Sequence, residues 1–307
     1  MEFPRLTKDE LLRRLEKPAG RVRMVLDTDT YNEIDDQFAL MYALGSPEQL
    51  EVEAVYAAPF YNHRSFGPED GMEKSYQEIL RLLRVIGRGH QGFVYRGSKK
   101  YLPGPEEPVE SEAAWDLVAR AGASAENAPL YVVAIGAVTN VASAILLRPE
   151  IIRRIVVVWL GGHPLHWPHT REFNLKQDIW AARVIFDCGA PLIQVPCMGV
   201  ASHLLTTIYE LEAHLAGKNR ICDELLQLFR DYHADHFGWA KEIWDIGAVA
   251  CLVHPTWTPM ELIPSPILTG ECTWRTDPGR HLMKTVIFIH RNMVFKDLFQ
   301  KLTQRFS

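Results

Sequence analysis

Between residues 27 and 36 the chain carries Asp27, Asp29, Glu33, Asp35 and Asp36, five carboxylates within ten residues. Groups so close repel one another unless something positive sits among them, and hard oxygen donors at this density suit Ca²⁺ or Mg²⁺. The plainer alternative is an acidic, solvated loop that caps a helix, since carboxylates favour helix N-termini. The flanking elements decide where the acids lie. Val22, Met24, Val25 and Leu26 read as a buried strand, and Phe38, Ala39, Leu40, Tyr42 and Ala43 as the apolar side of a helix. The acids therefore occupy a strand-to-helix loop at the carboxyl end of the first core strand, where open α/β sheets place their ligands.

The same alternation runs along the chain. Strands are expected at 21–27, 50–57, 130–135, 155–160, 191–195 and 284–290. Helices are expected at 35–44, 69–85, 111–121, 138–147, 178–187, 209–215, 221–236, 247–253 and 292–306. This order predicts an α/β fold, a mainly parallel central sheet with helices on both faces. Thr7 and Glu10 form a capping-box pattern, so the first 20 residues are expected to supply a covering helix at 6–16. A chain of 307 residues accommodates one large domain or two smaller ones. The Pro- and Gly-rich stretches 102–108 and 161–168 read as loops, not linkers, so a single domain over 1–307 is expected.

Composition narrows the partners. A net charge of −5 argues against coating nucleic acid. No apolar run is long enough to span a bilayer, and the N-terminus lacks the apolar core of a signal peptide. Cys188, Cys197, Cys222, Cys251 and Cys272 are odd in number, widely spaced and without a CxxC, which fits a reducing cytoplasm. His163, His166 and His169 have a spacing that raises a zinc site. Pro164 and Pro168 break any helix there, so the spacing does not put the three on one face.

Four segments carry a family resemblance, in order. Asp27-x-Asp29 followed by Asp35-Asp36 resembles the Asp-x-Asp-x-x-x-Asp-Asp metal signature of the inosine-uridine nucleoside hydrolase family, with two extra residues inside 30–34. Gly136-Ala137-Val138-Thr139-Asn140 is similar to the family's Gly-Pro-Leu-Thr-Asn, with Ala137 for Pro. Gly161-Gly162, Glu172-Phe173-Asn174 and Asp178 to Ala182 resemble its Gly-Gly, Glu-Phe-Asn and Asp-Pro-Glu-Ala-Ala. Trp244-Asp245 resembles its late His-Asp, with Trp in place of His. The likeness spans roughly residues 21 to 255.

The resemblance implies a nucleoside hydrolase-like fold and calcium-dependent cleavage of an N-ribosidic bond, with a nucleoside as small-molecule substrate. It implies Asp29, Asp36 and Asp245 as Ca²⁺ ligands, with Thr139 giving its backbone carbonyl. Residue types allow plainer roles, since Thr139 and Asp245 each precede an apolar helix and could cap it. By the resemblance Asp29 is also the general base, Asp35 orients the 2′-hydroxyl, and Glu172 and Asn174 bind the other sugar oxygens. Asn62 falls near the sugar, and His166 aligns with a further sugar-binding Asn. Asp27 would support the metal ligands by hydrogen bonding. Trp244 leans toward a purine, although a core Trp packed beside a helix reads equally well. Without the family's His, leaving-group protonation falls to His166, to solvent or to no group. Glu33 or Asn32, in the extra residues, would join the metal shell or the sugar rim. The family forms dimers and tetramers, which makes a homodimer or homotetramer the expectation.

Two other classes remain compatible with the residues. A phosphatase-type hydrolase also uses Asp-rich loops at strand ends with Mg²⁺, but would want a Gly, Ser, Thr and Lys phosphate cradle that is absent near Asp29. A catalytically silent nucleoside-binding protein would keep the pocket without the reaction. A divergent enzyme acting on an unusual N-riboside is the variant that the two extra residues suggest.

Overall fold

A computed structural model describes residues 2–18, 20–125 and 127–306. The polypeptide opens with α1 (Lys8–Leu15), β1 (Val22–Thr28), α2 (Asp35–Leu44), β2 (Leu50–Ala57), α3 (Pro68–Val85) and β3 (Val94–Arg96). It continues with α4 (Glu112–Ala123), β4 (Leu130–Ala134), α5 (Thr139–Leu147), β5 (Ile155–Leu160), α6 (Phe173–Gln177), α7 (Ile179–Asp187) and β6 (Leu192–Val195). Then come β7 (Leu205–Thr206), α8 (Ile208–Leu215), α9 (Arg220–Tyr232), β8 (Lys241–Glu242) and α10 (Ile246–Val253). The last elements are β9 (Met260–Pro264), β10 (Ile267–Leu268), β11 (Trp274–Arg275), β12 (Leu282–Val286) and α11 (Arg291–Arg305).

Eight strands form one sheet in the order β3-β2-β1-β4-β5-β6-β12-β9, parallel throughout except for the edge strand β9. Side chains alternate across it, as the pleat requires. Met24 and Leu26 of β1 and Val156, Val158 and Leu160 of β5 enter one apolar layer. Val25, Val157 and Trp159 enter the layer on the opposite face. Strands covered on both sides read as unbroken apolar runs, and this made them legible in the sequence.

The chain steps outward from β1 to β2 and β3, then returns to the other side of β1 with β4. The gap at the carboxyl ends of β1 and β4 is thus the point where the winding reverses, the place such sheets leave open for a ligand. The capping box on α1 is present in both directions, and Leu11 and Leu15 are buried as α1 packs beside β12.

Differences from the expected elements have local causes. The helix expected to reach residue 236 stops at Tyr232, because His233 is extended and its ring stacks on Trp239. The strand expected to reach residue 290 ends at Val286, after which Ile287 and His290 donate to the carbonyls of Pro259 and Trp257. Three-residue β3 and partly exposed β9 are edge strands with little apolar signal.

Candidate active site

Residues after β1 turn sharply: the Asn32 N–H donates to the Asp29 carbonyl at 2.7 Å, so the extra residues fold into a compact turn. The next helix begins at Asp35, and its N-cap, Ile34, supplies no side-chain bond. Asp35 and Asp36 therefore sit on the first turn of α2 with their carboxylates turned to the site and not to a cap. Gly136, just past β4, admits Asp29 against the sheet end: a Cβ there would lie 3.0 Å from the Asp29 Cγ. On the far side, Asp245 occupies the N-cap position of α10 yet makes no capping bond. Packing of α10 on α2 brings it to the acidic loop. Carboxylate oxygens of Asp35, Asp36 and Asp245 all lie within 4.8 Å of one another.

These acids floor a cavity of about 260 Å³ that Asp29 also lines. Burial dominates their electrostatics. Asp36 is pushed up to about 8 by burial and by the charge of Asp35, against a stabilising bond from the Thr28 hydroxyl. Burial raises Asp35 to about 6, and the Lys241 ammonium opposes that rise. Asp29 and Asp245 are held well above the usual carboxylate range by burial and by neighbouring carboxylates. Both Asp29 oxygens are buried without a hydrogen-bond partner. Such a cluster lacks only a positive centre, and its donors are all oxygens, the set that suits Ca²⁺ or Mg²⁺. The cap-only explanation of the acids does not hold, because none of Asp35, Asp36 and Asp245 caps a helix.

Walls of the cavity include Ile135, Leu160, His163, Glu172, Asn174 and Cys197. Glu172 caps α6: its Oε1 accepts from the Asn174 N–H at 2.8 Å, and its Oε2 from Gly162 and Leu175 at 2.9 and 3.0 Å. Three backbone donors hold the carboxylate rigid while it faces the cavity. Asn174 donates both amide hydrogens, to the carbonyls of Ile135 and Leu160, each at 3.1 Å. Its carbonyl oxygen remains as an acceptor. Partly exposed Glu33, Arg171, Phe173, Met198 and Trp244 form the mouth.

The structure thus gathers Asp29, Asp35, Asp36, Glu172, Asn174, Trp244 and Asp245 around one cavity. Asp29 stands outside the tight trio, which takes Asp35 instead. Asp27 lies behind the floor, raised to about 7 by burial, with Oδ1 accepting from Asn140 Nδ2 at 2.7 Å. Three expectations need correction. His166 is exposed and does not line the cavity; the Gly161-Gly162 turn delivers His163 instead, and Pro164 carries the chain outward. Thr139 also lies outside the lining: it opens α5 as a helical residue, caps nothing, and its hydroxyl donates to Asp178 at 2.8 Å. Asn62 acts at one remove, its amide donating to the Asn32 Oδ1 at 2.6 Å while Asn32 lines the cavity. Among the described residues, the three histidines form no metal-binding group.

Several residues here had no role assigned from the sequence. Asn140 is wholly buried and ties the ends of β1 and β2 to the segment after β3. His163 is pushed down to about 4 by burial, and the Met198 N–H points to its Nδ1 at 3.4 Å. Lys241, on β8, is ion-paired with Glu33. The Glu33 and Asn32 contributions had their signal in the length of the loop.

A model of the inosine-uridine preferring nucleoside hydrolase family matches residues 24–286. The pyrimidine-specific ribonucleoside hydrolase RihA of Salmonella typhi is 26% identical, with 82% of each chain covered. Among solved structures, a plant nucleoside hydrolase superposes with a TM-score of 0.74 at 21% identity, covering 92% of this chain and 99% of that one. A purine-preferring ribonucleoside hydrolase from Gardnerella vaginalis gives 0.72 at 22% identity, covering 92% and 98%. At such identities these structures speak to the fold alone, and they share the α/β architecture described above.

Proposed function

Since the chain belongs to the inosine-uridine preferring nucleoside hydrolase family and is a ribonucleoside N-ribohydrolase, we propose that its acidic cavity holds Ca²⁺ and cleaves the N-glycosidic bond of a nucleoside to free base and ribose. One observation carries the metal reading: two buried, unpartnered Asp29 oxygens beside three converging carboxylates. Asp35, Asp36 and Asp245 converge closely enough to hold the ion, and Asp29, with both oxygens unpartnered, would join Asp36 and Asp245 as a ligand. A backbone carbonyl is better supplied by Ile135 than by Thr139, because Ile135 directly follows β4 and lines the cavity. When bound, the cation would polarise a water molecule and the sugar's vicinal hydroxyls.

The chain's own residues then divide the work. Asp29 faces the water and takes its proton as the bond to the base breaks. Asp35 orients the 2′-hydroxyl, while Glu172 and the Asn174 carbonyl oxygen accept from other sugar hydroxyls. The ring becomes positive in the transition state, and a floor of carboxylates stabilises that charge. Trp244 offers a flat face for an aromatic base, and its size favours a purine. RihA is named for pyrimidines, so the base panel is part of the test. All five cysteines are free and buried, which suits a reducing compartment such as the cytoplasm.

The test is base release from purine and pyrimidine ribonucleosides with Ca²⁺ and with chelator, beside calorimetric Ca²⁺ titration. Chelator-sensitive release that disappears in Asp29→Ala is expected. Release that survives metal removal would overturn the mechanism.

A further inference from the structure

The loop between the Gly161-Gly162 turn and α6 brings hydrogen-bond donors to the rim of the cavity with nothing there to receive them. It is pinned at both ends. Thr170 Oγ1 accepts from the His163 N–H at 2.9 Å, and the Thr170 N–H donates to the Cys272 carbonyl at 2.7 Å. The His163 and His169 rings then stand 5.7 Å apart, centre to centre, close enough for one tetrahedral oxyanion to reach both. Each ring receives a backbone N–H on Nδ1, His163 from Met198 at 3.4 Å and His169 from Arg171 at 3.3 Å. An imidazole that accepts at Nδ1 carries its proton on Nε2. Both Nε2–H groups are therefore donors, and neither meets an acceptor among the described residues. Arg171 is exposed at the same mouth. Six carboxylates line the cavity, yet its guanidinium forms no ion pair among the described residues. Adjacent Glu172 is already occupied by three backbone donors.

With the sugar's vicinal hydroxyls on the acidic floor, its remaining hydroxyl, the 5′, falls to the Glu172 wall beside Arg171. A substituent on that oxygen would extend along the rim, where a planar guanidinium fork and two imidazole N–H groups match the acceptors of a phosphate. At the exposed mouth, water and salt screen such an anion from the floor.

We propose that His163, His169 and Arg171 form a phosphate subsite, and that the enzyme takes nucleoside 5′-monophosphates in preference to free nucleosides. This deepens the hydrolase reading and rests on it. The bond broken is unchanged: the oxygen of water joins the anomeric carbon, the base leaves with the bonding pair and takes up a proton, and the sugar product is ribose 5-phosphate.

The experiment compares kcat/KM for inosine, uridine and their 5′-monophosphates. Each monophosphate should exceed its nucleoside by about 10- to 100-fold, the worth of a charge-assisted hydrogen bond. In Arg171→Gln the ratio of monophosphate to nucleoside should fall about tenfold. Calorimetry on the Ca²⁺-loaded protein should show ribose 5-phosphate binding about tenfold tighter than either ribose or inorganic phosphate. If the nucleosides match or exceed their monophosphates, the inference is overturned while the hydrolase reading stands. If inorganic phosphate binds as tightly as ribose 5-phosphate, the rim holds free phosphate only and the inference is likewise overturned. If none of the four compounds is cleaved, the hydrolase reading fails and the inference with it. The unmodified enzyme decides the matter even if the variant does not fold.

Discussion

Replacing Asn140 by Ala removes the tie that holds the site's floor. Its Nδ2 donates to Asp27 Oδ1 at 2.7 Å and to the Ala57 carbonyl at 3.2 Å. Its Oδ1 accepts from the Ser98 N–H at 2.7 Å and the Ser98 hydroxyl at 2.9 Å. Gly97 exists to admit this approach, since a Cβ there would lie 2.5 Å from the Asn140 Nδ2. All four bonds are buried, and Asp27 Oδ2 already lacks a partner. The substitution would strand the Asp27 carboxyl and the Ser98 N–H away from water. At about 1 kcal/mol for each neutral bond, and somewhat more for the one to Asp27, the loss comes to about 4–6 kcal/mol. That is a large part of the stability of a typical domain, about 5–15 kcal/mol. Denaturant titration should show the midpoint falling at constant slope. Calcium affinity should fall with it, because Asp29 follows Asp27 on the same strand end. A loss below about 1.5 kcal/mol would refute the reasoning, since the network would then be worth less than two ordinary bonds.

Three further outcomes follow from the same geometry. Burial lifts Asp35 to about 6 and Asp36 to about 8 in the folded state, above the ordinary 3.8. The metal-free fold therefore keeps protons the unfolded chain has lost, and its stability should drain away as pH rises from about 4 to 8. Melting curves with chelator at pH 5, 7 and 9 should show this, with the gap to the Ca²⁺-loaded protein widening; a rising metal-free Tm would contradict it. Asp29→Asn should abolish base release yet raise the metal-free Tm at pH 8, because it removes a buried carboxyl whose oxygens have no partner. Thr139→Val should cost about 1–2 kcal/mol through the lost bond to Asp178 and leave Ca²⁺ affinity unchanged.

Much of the site was legible because chemistry and spacing coincide there. A hydrophilic cluster straight after an apolar strand has one natural place in a parallel sheet, its carboxyl edge, and Asp29, Asp35 and Asp36 are found there. Glu172 and Asn174 sit two residues apart on a short helix, so their joint presence at the cavity needed no long-range information. Thr139 falls outside the cavity lining, and the motif shows which residues are present and not which backbone group faces inward. Ile135, whose apolar side chain gives no chemical signal, occupies the position at the strand end. His166 lies outside the lining for a similar reason. Three histidines in one loop differ only in where Gly161-Gly162 and Pro164 send the chain, and that turn buries His163 while exposing His166.

Read alone, the sequence determined the alternation of elements, the carboxylate loop and the residue types of a cation site, since periodicity and local spacing are properties of neighbouring residues. Tertiary structure decided what meets across the fold. Packing of α10 on α2 brings Asp245 to Asp35 and Asp36, the reversal of winding between β1 and β4 opens the cavity, and the fold joins Lys241 to Glu33. These pairings depend on how whole layers of side chains pack, and burial then sets the charges of the acids they enclose.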